Sequence, residues 1–103
     1  MLKLDIKVLL ENKLKKYFLK YLEAILKCQT KPEQFVHVEK ALGSFAAVIH
    51  CLGKDILLAG QPLTQVIDEL EILRRQSNYS ILHCRAFAMG NLLAEDYSRK
   101  QGG

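Results

Sequence analysis

The residue types most suggestive of chemistry are two His-Cys pairs, His50-Cys51 and His83-Cys84. Each closes a similar tetrapeptide, Val48-Ile49-His50-Cys51 and Ile81-Leu82-His83-Cys84, set 33 residues apart. Imidazole and thiolate are zinc ligands, but neighbours in a helix point about 100° apart and do not readily chelate one ion. Zinc modules space paired ligands two to five residues apart around a turn. The tetrapeptides do not extend into a repeat, because Phe35 would align with Asp68 and Val38 with Glu71. The expected reading is that Cys51 and Cys84 pack as small apolar groups, with His50 and His83 at the edges of helix faces.

Other catalytic furniture is sparse. A Cys–His nucleophile needs both side chains in hydrogen-bond reach and a third group to orient the base, and no glycine-rich turn presents one. The carboxylates Asp68-Glu69-Glu71 and Glu95-Asp96 read as solvated helix faces; acid–base work would need one of them buried at a cleft. Neither Gly60-Gln61-Pro62 nor Gly102-Gly103 has the Gly-Lys-Ser/Thr context of a phosphate loop. No catalytic residue, metal or cofactor is expected.

Charge is the remaining chemical signal. Residues 1–32 carry eight Lys against three acidic residues, whereas residues 61–103 balance at five and five, so the net +4 belongs to the first segment. Lys13, Lys16, Lys20 and Lys27 recur at helical spacing and form one basic face. It reads as a solvated surface, as a contact for nucleic-acid phosphates, or as a contact for an acidic protein or anionic membrane. Lysine is a solvated point charge, weaker than arginine for bidentate recognition.

The elements that would position these groups are helices. Leu10, Leu14, Tyr17, Phe18, Tyr21, Leu22 and Ile25 recur at steps of three and four. They predict a first helix over about 5–27, although Leu2, Leu4 and Ile6 also alternate as in a strand. Thr30 and Glu33 fit a capping box with Pro32 in the first turn; Phe35, Val38, Leu42, Phe45, Ile49 and Leu52 then predict a helix over 31–52 that stops at Gly53. Leu63, Val66, Ile67, Leu70 and Leu73 predict a third over 62–76, with Arg74 and Arg75 suited to its C-terminal dipole. Ser77 or Asn78 can cap a fourth over 79–99, striped by Leu82, Ala86, Met89 and Leu93 and widened by Ile81, Phe87 and Leu92. Residues 101–103 read as a flexible tail. Residues 54–60 are ambiguous: a hairpin through Gly53-Lys54-Asp55 would make an α+β protein.

Short connections imply antiparallel neighbours. The expected fold is therefore all-α: a single domain over 1–103, a small antiparallel four-helix bundle that a second copy can complete. Small residues on helices 2 and 4 (Ala41, Gly43, Ser44, Ala46, Ala47; Ala86, Ala88, Gly90, Ala94) would allow close backbone approach. There is no secretory signal, and the weakly polar stretch Leu42–Leu52 is too short to span a bilayer. Three cysteines, an odd number, fit free thiols in a reducing cytoplasm.

The expected function is a non-enzymatic interaction module, an adaptor, small chaperone or regulatory subunit, that buries an apolar helix face through Tyr17, Tyr21 and Phe87. Its partner would be another protein or a second copy, with a homodimer expected. The alternative is a basic nucleic-acid-associated regulator using Lys13, Lys16, Lys20 and Lys27.

Overall fold

The structure, a computed structural model, describes residues 2–29, 31–52 and 55–102, and the side chains of 8–29, 31–50 and 55–99. The chain runs α1 (Leu2–Lys27), a 3-10 turn (Pro32–Gln34), α2 (Phe35–Leu52), β1 (Leu57–Leu58), β2 (Gln61–Pro62), α3 (Leu63–Arg75) and α4 (Tyr79–Gly102). The all-α bundle holds. α1 starts at Leu2, so its first residues are helical and not a strand, and α4 continues through Gln101 and Gly102, where the sequence reads as a flexible tail.

α1 is the hub. Leu14, Phe18, Tyr21, Leu22 and Ile25 lose all exposure along one side, and α2 and α4 make their most extensive packing against it, while α3 leans mainly on α4. Phe45 of α2 stacks on Phe18 at 5.4 Å between ring centroids and on Tyr21 at 6.4 Å. At the other end of α2, Phe35 meets Tyr79 of α4 at 5.2 Å. Tyr97, near the far end of α4, donates a hydrogen bond to the Asn12 carbonyl of α1 at 3.0 Å. α4 therefore runs back along α1, and the four helices alternate up and down.

The α1–α2 turn is closed by Gln34. Its backbone carbonyl accepts the Cys28 thiol at 3.0 Å, and its side-chain oxygen accepts the Gln29 N–H at 2.7 Å. The expected capping box cannot be placed, since Thr30 lies outside the described residues; Lys31 precedes the 3-10 turn in extended geometry with no side-chain cap. Gly53, the expected stop of α2, also lies outside them.

The ambiguous segment does form a hairpin, but not through Gly53-Lys54-Asp55. Leu57 pairs with Pro62 and Leu58 with Gln61. The two-residue turn is Ala59-Gly60, with φ of 50° and 82°, the positive-φ pair of a type I′ turn. Leu63 N–H bonds Ile56 O at 2.9 Å and extends the ladder into α3. Two-residue strands are too small to change the fold class.

α3 ends differently from expectation. Ser77 is not a side-chain cap for α4; it adopts the left-handed conformation at φ 57°. Its N–H bonds Arg74 O and the Asn78 N–H bonds Leu73 O, both at 3.0 Å, the Schellman pattern that satisfies terminal carbonyls. α4 begins on backbone alone, with Leu82 N–H bonding Asn78 O at 2.9 Å.

Most of the small residues of α2 and α4 lie outside the helix contacts; Ala86 is buried and Ala41 packs against the core. Gly43, Ser44, Ala47, Ala88 and Ala94 are exposed, and a Cβ added at Gly43 or Gly90 would meet nothing within 4 Å. Gly43→Ala and Gly90→Ala should each stabilise the fold by about 0.5–1 kcal/mol, because mid-helix glycine carries an entropic penalty with no steric return here. Ala59→Asn should also stabilise, since asparagine suits the positive-φ position of this turn. Chemical denaturation of the three variants measures both effects.

Candidate functional site

Two outward helix faces stand out. On α1, Lys13, Lys16, Lys20 and Lys27 are all exposed, and at 100° per residue they fall within an arc of about 60°. The exposed Leu9 lies on the same arc. Lys20 Nζ sits 5.9 Å from the centroid of the Tyr17 ring. Lys15 has turned the other way: it is 4% exposed and ion-paired with Asp96 of α4. An open groove of about 510 Å³ between α1 and α2 is lined by Lys20, Glu23, Lys27, Gln34 and His37, among others.

The second face belongs to α4. Its core side carries Leu82, Ala86 and Leu93. Its outer side carries Ser80, Ile81, Cys84, Phe87, Ala88, Asn91 and Ala94, all exposed. Between Ser80 and Ala94 the single Lys, Arg, Asp or Glu is Arg85, and it pairs with Glu69 of α3 at 3.3 Å. Ile72 stands one turn beyond Glu69, and Ile81 one turn before Arg85 on the antiparallel neighbour. Both isoleucines are about half exposed, so they border the same bridge and widen the apolar strip toward α3.

The three apolar candidates separate. Phe87 is 61% exposed, Tyr17 is half-buried against the core, and Tyr21 is 0% exposed. Tyr21 is therefore a core residue and offers no surface to a partner; α2 and α3 already cover it. Its hydroxyl donates to Glu71 Oε1 at 2.7 Å. Arg74 in turn pairs with Glu71 at 3.1 Å and with Glu39 of α2 at 2.9 Å. The expectation that Asp68-Glu69-Glu71 and Glu95-Asp96 form solvated faces is thus corrected for Glu71 and Asp96, both of which face basic partners within the fold. Nothing in the primary run of acids distinguishes Glu71. The scarcity of charge from Ser80 to Ala94, where Arg85 is the single charged residue, is by contrast visible in the sequence and could have pointed to the outer face of α4.

Cys84 is exposed, contrary to the expectation of packing, and Cys51 lies outside the described side chains. Cys28 is buried, and burial pushes its thiol up, away from the thiolate. His50 is exposed, whereas His83 is half-buried with its Nε2 sealed from solvent and without a hydrogen-bond partner. Among the described residues, no group of three His, Cys, Asp or Glu side chains is placed to hold a metal ion, and no helix is long and apolar enough to cross a membrane.

Burial, and then the Glu71 carboxylate, push the Tyr21 hydroxyl far above the usual tyrosine range; burial also raises that of Tyr97, with Lys15 opposing. An unfolded tyrosine ionises near pH 10. The native state keeps a proton that the unfolded chain releases, so this stability is fully present below about pH 10 and falls above it. The decline is at most about 1.4 kcal/mol per pH unit for Tyr21. Urea midpoints between about pH 9 and 11 should fall for the parent chain and fall less steeply for Tyr21→Phe.

No family model matches the chain, and neither a curated protein nor a solved structure matches it.

Proposed function

We propose that this protein is a non-enzymatic helical interaction module, an adaptor, small chaperone or regulatory subunit, that buries the outer face of α4 on another protein or on a second copy of itself. The observation that carries the reading is the exposed, uncharged strip from Ser80 to Ala94 with Phe87 at its middle. Soluble surfaces mix charge with scattered apolar residues; a strip without charge that joins small and apolar side chains around an exposed aromatic suits an interface. Fifteen helical residues extend about 22 Å, the length of a helix seated against another helix. The small side chains let a partner backbone come close, and Phe87 is the kind of aromatic anchor that dominates binding energy.

Ile81 and Ile72 extend the strip across the α3 seam, and the Glu69–Arg85 pair lies at its rim, where a charge contributes specificity more than affinity. Tyr17, half-buried under Lys20, belongs to the margin of a different face. A free, exposed thiol at Cys84 fits a reducing compartment, so the cytoplasm is the location we favour.

The test is light scattering on a sizing column, with site-specific photo-crosslinking from position 87 in cells. The expected result is a dimer or a discrete cross-linked complex. Phe87→Asp and Ala94→Asp should abolish it while leaving helical content and thermal midpoint nearly unchanged, because both side chains are exposed. Charge reversal at Lys13, Lys16 and Lys20 should leave the assembly intact. A monomer at about 100 μM with no cross-linked product, or an assembly that Phe87→Asp does not weaken, overturns the reading; a 10- to 100-fold loss is the scale expected for one aromatic anchor.

A further inference from the structure

We infer that the outer face of α1 binds the phosphate backbone of a nucleic acid without reading its sequence. Lys13, Lys16, Lys20 and Lys27 are exposed on one narrow arc, and the distance along the helix from first to last is about 21 Å. At its C-terminal end the arc opens into the groove where His37 of α2 faces Lys20 and Lys27. Lys31, on the turn that follows, is exposed as well. Among the described residues, Glu23 is the one acid in the groove. Acidic side chains gather elsewhere, as in the α3 groove that contains Asp68 and Glu69. Such separation of charge orients a molecule as it approaches a polyanion.

Three observations favour a nucleic acid as the occupant. A straight row of like charges suits a linear polyanion, whose binding is driven by release of condensed counterions. A membrane surface would take an amphipathic helix through its apolar side, but in α1 that side is spent on the core: Leu14, Phe18, Leu22 and Ile25 have no exposure. An acidic protein would be held by a buried anchor, and among the described side chains on the arc the one apolar group is Leu9. Base recognition is a different matter. The arc has no arginine for bidentate contacts, and Tyr17 lies half-buried under Lys20, where it cannot stack on a base. Binding is therefore expected to be tolerant of sequence.

The experiment is fluorescence anisotropy of the full chain with a mixed-sequence duplex, a single strand of equal length and phosphatidylserine vesicles, over a salt series. If the four lysines each neutralise one phosphate, log K against log[salt] should have a slope of about −3.6 per chain on duplex and about −2.8 on a single strand. Each Lys→Gln substitution at positions 13, 16, 20 or 27 should flatten the duplex slope by about 0.9, and a scrambled duplex should bind as well as the original. All four side chains are exposed, so circular dichroism should show unchanged folding. Phe87→Asp should keep the per-chain slope, which separates this inference from the α4 interface. No binding at low salt, a slope near zero, binding unaffected by the Lys→Gln variants, or capture by the vesicles with none by nucleic acid would each overturn it.

Discussion

The hydroxyl of Tyr21 sets the terms on which the helices meet. A phenol ring buried on the hub helix contributes large apolar area, but its O–H must find an acceptor or the burial costs more than it returns. Glu71 of α3 supplies that acceptor, and a carboxylate brought out of water needs a positive partner of its own. Arg74 provides it one turn further along α3 and also reaches Glu39 of α2. One buried hydroxyl thus propagates into a chain of polar contacts joining α1, α3 and α2. α3 is short and leans mainly on α4; this chain fixes its position relative to the other half of the bundle. On the opposite flank of α1, the Lys15–Asp96 pair does the same for α4.

How far the sequence discloses this arrangement depends on what kind of information each feature needs. The four helices are legible because an apolar stripe at steps of three and four is a local pattern; Leu63, Val66, Ile67 and Leu70 all prove buried along α3. The hairpin is not legible. Two-residue strands leave no alternation to read, and its turn uses Ala59-Gly60 where Asn-Gly would have announced it. The difference between Tyr21 and Phe87 is also invisible from within one helix. Both are aromatic members of broad apolar faces, and the packing of other helices decides that one is sealed and the other is open. Glu71 belongs to the same class: it looks like its acidic neighbours until Tyr21 and Arg74 arrive from across the fold. The small residues of α2 and α4 show the limit of composition, since glycine and alanine permit close approach without requiring it.

The two outward faces follow from a division of labour between helices of similar length. α1 gives Leu14, Phe18, Tyr21, Leu22 and Ile25 to the core and presents a row of lysines on the surface, with Val8, Leu9 and Leu26 also exposed. α4 buries Leu82, Ala86 and Leu93 fully, packs Tyr79, Met89, Leu92 and Tyr97 partly against the core, and keeps Ile81, Phe87 and small residues outside. The two surfaces therefore differ in physical character: one acts at long range and weakens with salt, the other acts only on contact and scales with buried area.

The clasp made by Gln34 has a consequence for the order in which the molecule is built. It ties α2 to α1 across a turn of a few residues, and contacts so near in sequence close early. A chain emerges from the ribosome N-terminus first, so α1 and α2 can zip together and stack Phe45 on Phe18 and Tyr21 while α3 is still being translated. During that interval the phenol of Tyr21 has no Glu71 to bond and stays hydrated. The nascent hairpin keeps a wet seam along its inner side, one that dries when the second pair of helices arrives.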